Sequence, residues 1–323
     1  MLQTQECHYS GINQRVEREN CMNQIYILYN PLSGNGSGRE NADALEILYN
    51  DPVYLDITQI KDFASFFSKL DLSDDVVLCG GDGTLNRFAN DTKNLSIPNP
   101  IYYFASGTGN DFLRDLNISP IAPPNFRVND YLRNLPKVTV HGQERLFLNN
   151  VGFGVDGYCC EEGDKLREKY RKAGKEKDVN YTMIAAKGLL FHFQPRNAVI
   201  TVDGVPHRFE RVWIAPTMHG RYYGGGMMAA PEQDRLDPDK LLSVMVLHGA
   251  RRLKTLSMFP SIFNGKHIRH KKYVTILTGQ EITVEFDRPT PLQIDGETVL
   301  DVESYEVKSS IRTLSQKSTV CTN

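Results

Sequence analysis

The chain has 323 residues, enough for two domains that each bury a core of their own. Hydrophobic residues make up 40% and charged residues 24%, the balance of a globular protein and not of a disordered or membrane-embedded one. A formal net charge of −2 removes any overall basic field, so no nucleic acid partner is expected.

In chain order, residues 1–21 are polar, lack the apolar core of a signal peptide and read as a disordered leader. A short apolar run over residues 25–30 reads as a strand that opens into the turn-rich stretch 30–38, and a helix is expected over 39–49. Residues 53–58 read as a second strand, 61–70 as an amphipathic helix, and 76–79 as a buried strand that runs into Gly80-Gly81-Asp82-Gly83. A helix is expected over 85–91, a fourth strand over 101–104, and another helix opening at 107–109. This alternation predicts an N-terminal, open, mostly parallel α/β domain over residues 22–137. From residue 138 the chain changes to short alternating segments at 145–149, 198–202, 211–216, 242–247, 273–277 and 281–286, separated by turn signals. They predict a C-terminal antiparallel β domain over residues 138–310, interrupted by helical insertions at 163–191 and 253–263. Residues 311–323 read as a tail.

Six cysteines (Cys7, Cys21, Cys79, Cys159, Cys160 and Cys321) form no CxxC pair and no zinc spacing, which fits a reducing, cytoplasmic setting. No apolar stretch approaches the roughly 18 residues of a spanning helix.

Three loops that follow strands carry small residues: Asn30-Pro31-Leu32-Ser33-Gly34-Asn35-Gly36, Gly80-Gly81-Asp82-Gly83-Thr84-Leu85-Asn86, and Ser106-Gly107-Thr108-Gly109-Asn110-Asp111. In an open parallel sheet such loops converge on one crevice at the carboxyl ends of the strands. Glycine lets backbone N–H groups approach an anion, and helix N-termini add positive potential, so the expected ligand is a nucleotide phosphate. Thr84 and Thr108 can donate to its oxygens. Neither GxGxxG nor GxxxxGK[ST] occurs, which disfavours hydride transfer and a Walker-type site. Without a P-loop lysine, metal and backbone dipoles must neutralise the phosphate charge.

The stretches NPLSGNGSG, GGDGTLN, SGTGNDFLR, FLNNVGFGVDG, YGGGMMAAP and LQIDGE, in that order, resemble the diacylglycerol kinase catalytic-domain family, which includes sphingosine and ceramide kinases. The likeness runs from about residue 22 to about residue 310. It implies an α/β nucleotide-binding domain and a β-sandwich lipid-binding domain with the active site between them, and ATP and Mg2+ as cofactors. On that resemblance Asn30, Ser33, Gly34, Thr58, Gly81, Asp82, Gly83, Thr84, Leu85, Asn86, Arg87, Gly107 and Thr108 contact ATP. Asp82 and Asp111 belong to the metal network, and Glu297, with Asp295 beside it, acts as general base on the lipid hydroxyl. It also implies a structural Mg2+ held by the Asp239 side chain and the carbonyls of Leu236 and Leu241, although Lys240 replaces the customary glycine there.

Two departures stand out: Arg87 replaces the usual glutamate after GGDGTLN, and His141 lies where an acid is usual. Both are expected to remove negative charge near the metal network.

Simpler readings exist for several of these residues. Asp82 suits a helix cap, Asp295-Gly296-Glu297 suits a hairpin turn, and Asp156 reads as a cap or turn residue outside the site. Phe191, Phe193, Phe259 and Phe263 read mostly as core. Two basic stretches, 165–177 and 265–272, are either solvated faces or docking surfaces for anionic lipid. The expected protein is thus a cytoplasmic Mg-ATP-dependent lipid kinase, peripheral at the inner membrane surface, with diacylglycerol as leading acceptor and a homodimer left open. The alternatives are a kinase of a soluble acceptor such as NAD, or a non-catalytic nucleotide- or lipid-binding regulator.

Overall fold

The computed structural model describes residues 23–310 except 108, 120–125, 175, 176 and 178, so the expected leader, the tail and Thr108 lie outside the described residues. In the first domain β1 (Ile25–Tyr29), β2 (Val53–Asp56), β3 (Asp75–Gly80) and β4 (Ile101–Ala105) form a parallel sheet in the order β2-β1-β3-β4. The β3 run Val76, Val77, Leu78 and Cys79 is wholly buried, as a strand covered on both faces requires. The helices α1 (Gly38–Asp43), α2 (Phe63–Phe67), α3 (Asp82–Thr92), α4 (Asp111–Asp115) and α5 (Asn129–Arg133) complete the domain. One core gathers Leu28, Phe63, Leu78, Leu85, Phe88 and Phe112; a smaller one on the other face holds Ile27, Ala42, Leu45 and Val77. The chain leaves β1 toward β2 and returns on the other side as β3. The loops after β1 and β3 therefore flank the crevice where the winding direction reverses.

Several boundaries differ from expectation for local reasons. The 39–49 segment tightens into a 3-10 turn at Ala44–Ile47 after α1. The second strand stops at Asp56 because that side chain accepts the Thr58 N–H and closes a 3-10 turn. The third helix starts on Asp82 itself, three residues early. The fourth starts only at Asp111, because Asn110 takes a left-handed conformation that no continuing helix allows.

The second domain runs β5 (Lys137–Val140), β6 (Gln143–Leu146), β7 (Asn150–Gly154), α6 (Val155–Lys172), α7 (Tyr181–Lys187), β8 (Arg196–Val202), β9 (Val205–Val212), β10 (Ile214–Met218), the short hairpin β11 (Tyr222–Tyr223) and β12 (Met227–Met228), β13 (Leu242–Leu247), α8 (Arg252–Met258), β14 (Val274–Gly279), β15 (Glu281–Ile294) and β16 (Glu297–Lys308). Ten of these strands form one antiparallel sheet, folded over a core that includes Val138, Phe153, Ile200, Val244, Val284 and Tyr305. β15 belongs to both layers: Ile282–Phe286 pairs with β8, and Leu292–Ile294 pairs with β7. Its register shifts between Glu285 and Leu292, where Pro289 and Pro291 supply no N–H to the ladder.

The expected strand at 281–286 is thus more than twice as long, 14 residues, and delivers the Asp295 turn. The expected 145–149 strand is split, with residues 147–149 crossing between β6 and β7. The expected 211–216 strand is split between the end of β9 and the start of β10. The 163–191 insertion starts earlier, since α6 follows directly from Gly154. Among the described residues no helix is long and apolar enough to cross a membrane.

Candidate active site

The three glycine-rich loops meet. Asn30, just past β1, donates from Nδ2 to Thr84 Oγ1 at 3.0 Å, and the Ser33 hydroxyl donates to the Asn30 carbonyl at 2.8 Å. The backbones of Gly81 and Gly107 touch so closely that a Cβ on Gly107 would lie 2.7 Å from Gly81 Cα. Only glycine permits that approach. Gly34 faces the Ser106 carbonyl, so all three loops share one rim. Gly83 is exposed, whereas the Leu85 side chain is core. Thr58 stands on the same rim after β2, but its hydrogen bonds are local: its N–H and hydroxyl both donate to Asp56 Oδ1.

Asp82 opens α3 at the centre. Its Oδ2 accepts from the backbone N–H groups of Asp111 (2.7 Å) and Phe112 (3.3 Å) and from Asn149 Nδ2 (3.0 Å). Its Oδ1 is buried with no partner among the described residues. Burial raises its pKa, against the opposing effect of those donors and the Arg235 charge. Asp111 accepts the Gly225 N–H on Oδ2 at 2.7 Å, and burial, with Asp82 nearby, pushes it up to about 6. Gly224, Gly225 and Gly226 all have positive φ in that turn, the tip of the β11–β12 hairpin. An unpaired buried carboxylate oxygen beside a second acid suits a hard cation that keeps waters of its own, so Asp82 and Asp111 fit Mg2+.

Asp295 plays a bracing part. Its Oδ1 accepts from the N–H groups of Asn149 (2.7 Å) and Asn150 (3.0 Å), and its Oδ2 accepts from the Leu148 N–H and Asn86 Nδ2. Both oxygens are therefore spoken for, although burial pushes the carboxyl up to about 6. The turn expected at Asp295-Gly296-Glu297 exists, with Asp295 in the left-handed region. It presents Glu297 to a cleft of about 290 Å³ lined also by Asn86, Arg87, Asn90, Arg145 and Ile294. There Arg145 Nη2 lies 3.1 Å from Glu297 Oε2, an exposed pair. A second cavity of about 240 Å³ opens behind Arg235, between Tyr131, His219 and Leu236, and none of the clustered carboxylates lines it.

The departures fall elsewhere than expected. Arg87 extends from the exposed face of α3 toward Asp91, 3.7 Å away. His141 sits at the exposed tip of the β5–β6 hairpin with Nε2 3.1 Å from the Asp301 carbonyl. Neither contacts Asp82 or Asp111, so the expectation that both strip charge from the metal network is corrected. The expected second metal site is not a ready cradle either. The Leu241 carbonyl already accepts from Gln233 Nε2 at 2.8 Å, and Asp237, not Asp239, organises the turn by accepting the N–H groups of Asp239 and Leu241. Leu236 is exposed there, its N–H held by Asp234. Among the described residues no three His, Cys, Asp or Glu side chains group to hold a metal.

Four residues outside the expected set join the domains. Asn149 gives Nδ2 to Asp82 and accepts on Oδ1 from Arg235 Nη2 at 2.8 Å. Arg235, almost fully buried, also pairs with Asp115 Oδ2 at 2.9 Å and donates to the Leu148 carbonyl at 2.6 Å. Arg221 holds the other Asp115 oxygen at 2.9 Å. The Asn149-Asn150 pair, polar within the apolar run 146–153, is a visible signal; Arg235, Arg221 and Asp115 carry none. Asp156 is buried and takes both oxygens to the Tyr223 hydroxyl, which braces the hairpin carrying Gly225.

A parallel sheet with glycine-rich loops at its reversal point, closed by a β domain that supplies carboxylates, defines a two-domain phosphotransferase. The chain belongs to the diacylglycerol kinase catalytic-domain family and is a lipid kinase: the model of that catalytic domain matches residues 24–136, and that of the YegS C-terminal NAD kinase beta sandwich-like domain matches 149–308. A diacylglycerol kinase of Mycobacterium tuberculosis is 25% identical over 269 residues, covering 78% of this chain and 82% of that one. A crystal structure of a diacylglycerol kinase from Bacillus anthracis covers 89% of this chain and 94% of its own, with TM-score 0.59 at 18% identity. That likeness bears on the fold.

Proposed function

We propose that the protein transfers the γ-phosphate of ATP to the free hydroxyl of diacylglycerol, forming phosphatidic acid and ADP. The observation that carries this reading is Asp82, whose buried unpaired oxygen sits where the three loops converge and whose partner Asn149 leads directly to the Glu297 turn. The loop backbones around Gly34, Gly81 and Gly107 and the N-terminus of α3 receive the phosphates. Asn30 and Thr84 hold the first two loops in register. Asp82 and Asp111 would hold Mg2+, which when bound supplies positive charge against the phosphate oxygens. Glu297 takes the proton of the acceptor hydroxyl as its oxygen bonds to phosphorus and the bond to the ADP oxygen breaks. Asp295 fixes the turn that presents Glu297, a positioning part. Arg145 keeps Glu297 at the mouth of the cleft.

A second acceptor reading has its own support. Arg87 and Arg145 line the cleft beside Glu297, an arrangement suited to a glycerolipid that carries a phosphate next to its hydroxyl. Phosphate transfer from labelled ATP with Mg2+ to diacylglycerol, phosphatidylglycerol, ceramide and sphingosine in mixed micelles tests both. A labelled diacylglycerol product, abolished by Asp82→Ala and by Glu297→Ala, is the expected result. Labelling of phosphatidylglycerol alone would favour the second reading, and no product from any lipid would overturn both.

A further inference from the structure

The two basic stretches differ in a way that only the structure resolves. On α6 four of the five cations are already matched three or four residues away, all but Lys169: Lys165 with Glu161 and Glu162, Arg167 with Asp164, and Arg171 and Lys172 with Glu168. That face is a salt-bridged, solvated one. The second-domain insertions are different. Residues 181–200 and 249–280 contain no aspartate or glutamate, and 249–280 alone carries Arg251, Arg252, Lys254, Lys266, Arg269, Lys271 and Lys272. None of these seven makes an ion pair with an acid among the described residues, and all but Arg252 are exposed.

The same insertions expose large apolar side chains. Leu253 is 75% exposed, Phe191 69%, Met183 53% and Phe263 44%. Met183, Lys187 and Phe191 recur every four residues along α7 and the π-turn that follows it (Gly188–His192), so they form one outward stripe, while Ile184, Ala185 and Leu189 face inward. On α8, Leu253 and Lys254 face out while Thr255 and Met258 are buried. The two insertions form one layer: Leu189, Phe193, Met258 and Ile262 share a core, and Arg252 Nη1 donates to the Leu189 carbonyl at 3.0 Å. Single exposed leucines are ordinary; cations and apolar tips interleaved on one acid-free layer are not. Such a layer matches a surface that is anionic outside and apolar beneath.

We infer that the layer formed by α7, its π-turn, α8 and the 3-10 turns after it is the face that docks on an anionic lipid bilayer, with Phe191, Leu253 and Phe263 entering the headgroup boundary. The layer also adjoins the acidic cluster. Gly265 packs on Met228 and Pro231, and His267 Nε2 lies 2.9 Å from the Ala229 carbonyl, so it rests on the hairpin whose Gly225 holds Asp111. Its use in delivering acceptor rests on the lipid-acceptor reading above; the docking itself is read by binding alone.

The test is sedimentation with vesicles of phosphatidylcholine containing phosphatidylglycerol. Wild-type protein should bind, and vesicles of phosphatidylcholine alone should hold far less. Combined Lys254→Glu, Lys266→Glu, Lys271→Glu and Lys272→Glu should lower partitioning roughly a hundredfold or more. Phe191→Asn with Leu253→Asn should also release the protein, and Lys165→Glu with Lys172→Glu on α6 should not. Unchanged melting temperatures would show that the surface variants fold. Wild type that fails to bind, or binding lost by the α6 variant and kept by the other two, would overturn the inference. Activity toward a water-soluble short-chain diacylglycerol separates the two readings. It should survive in the docking variants; its absence in wild type would count against the acceptor reading, while the vesicle result would still decide docking.

Discussion

Replacing Asn149 by alanine removes the amide that joins the two domains' shares of the acidic cluster, while leaving the backbone N–H that serves Asp295. Two charge-assisted bonds go at once, Nδ2 to Asp82 at 3.0 Å and Oδ1 from Arg235 at 2.8 Å. Bonds to charged groups contribute about 1.5–3 kcal/mol each. Asp82 keeps its two backbone donors, but the Arg235 side chain, 2% exposed, loses one of its acceptors. The expected loss in unfolding free energy is about 3 kcal/mol, the low end of the sum, because water can enter the space left by the amide. Asp82 also loses a donor that opposes the effect of burial on its pKa, so that pKa rises further. If one such bond of positioning is lost from the reacting state, turnover falls about tenfold to a hundredfold. Urea unfolding gives the first number, and phosphate transfer from labelled ATP gives the second. An Asn149→Ala protein within about 0.5 kcal/mol of wild type, with turnover within about twofold, would refute Asn149 as the bridge.

Other substitutions and conditions separate the remaining roles. Asp115→Ala strands two guanidiniums, one of them buried, and should cost about 3–5 kcal/mol in urea unfolding; a loss under about 1 kcal/mol would mean the Arg235 pair is not what holds the domains. Arg145→Ala breaks an exposed pair and should leave the melting temperature unchanged, whereas Glu297→Gln should keep that temperature yet lower turnover at least about a hundredfold; a stable, active Glu297→Gln would exclude it as proton acceptor. Asp111 and Asp295 are raised from 3.8 to about 6, so the folded chain holds extra protons between those values. Their contribution to stability is full below the lower value and is lost as pH rises through the upper one. Metal-free protein should therefore show a falling share of stability from these groups between about pH 4 and about pH 6, and Asp111→Asn should flatten that slope. Added Mg2+ should raise the melting temperature more at about pH 8 than at about pH 5, and equal shifts by calorimetry would argue against these carboxylates as ligands.

Much of this arrangement is legible in the sequence because its signals are local. Strand-to-loop transitions at Asn30, Gly80 and Ser106 place three small-residue loops on one rim, and the order of elements alone makes them converge. The DG signal locates the turn that presents Glu297. The harder parts depend on partners far along the chain. Asp295 looks like a second catalytic acid next to Glu297, yet four donors from β7, its approach and α3 occupy it. Arg235 lies in a polar loop with nothing to mark it as buried, since its burial follows from Asp115 and Leu148 of other elements. His141 stands in a sequence position suggestive of the metal network, but a two-residue hairpin turn carries it to the surface. The α6 basic stretch resembles a docking patch until its helical register sets four of its five cations beside an acid.

The bond between Asn86 and Asp295 spans 209 residues of chain, and the one between Asn149 and Asp82 spans 67. Contacts of such separation form late, after local elements have already packed. During synthesis the first domain emerges complete long before the final hairpin, so a partly made chain carries the three glycine-rich loops without the Asp295–Glu297 turn. The loops thus precede the turn that closes on them. On the proposed role of Glu297, phosphate transfer waits until the last two long strands bring the Asp295 turn onto Asn86 of the first domain. The site is completed only by the last hairpin to be made.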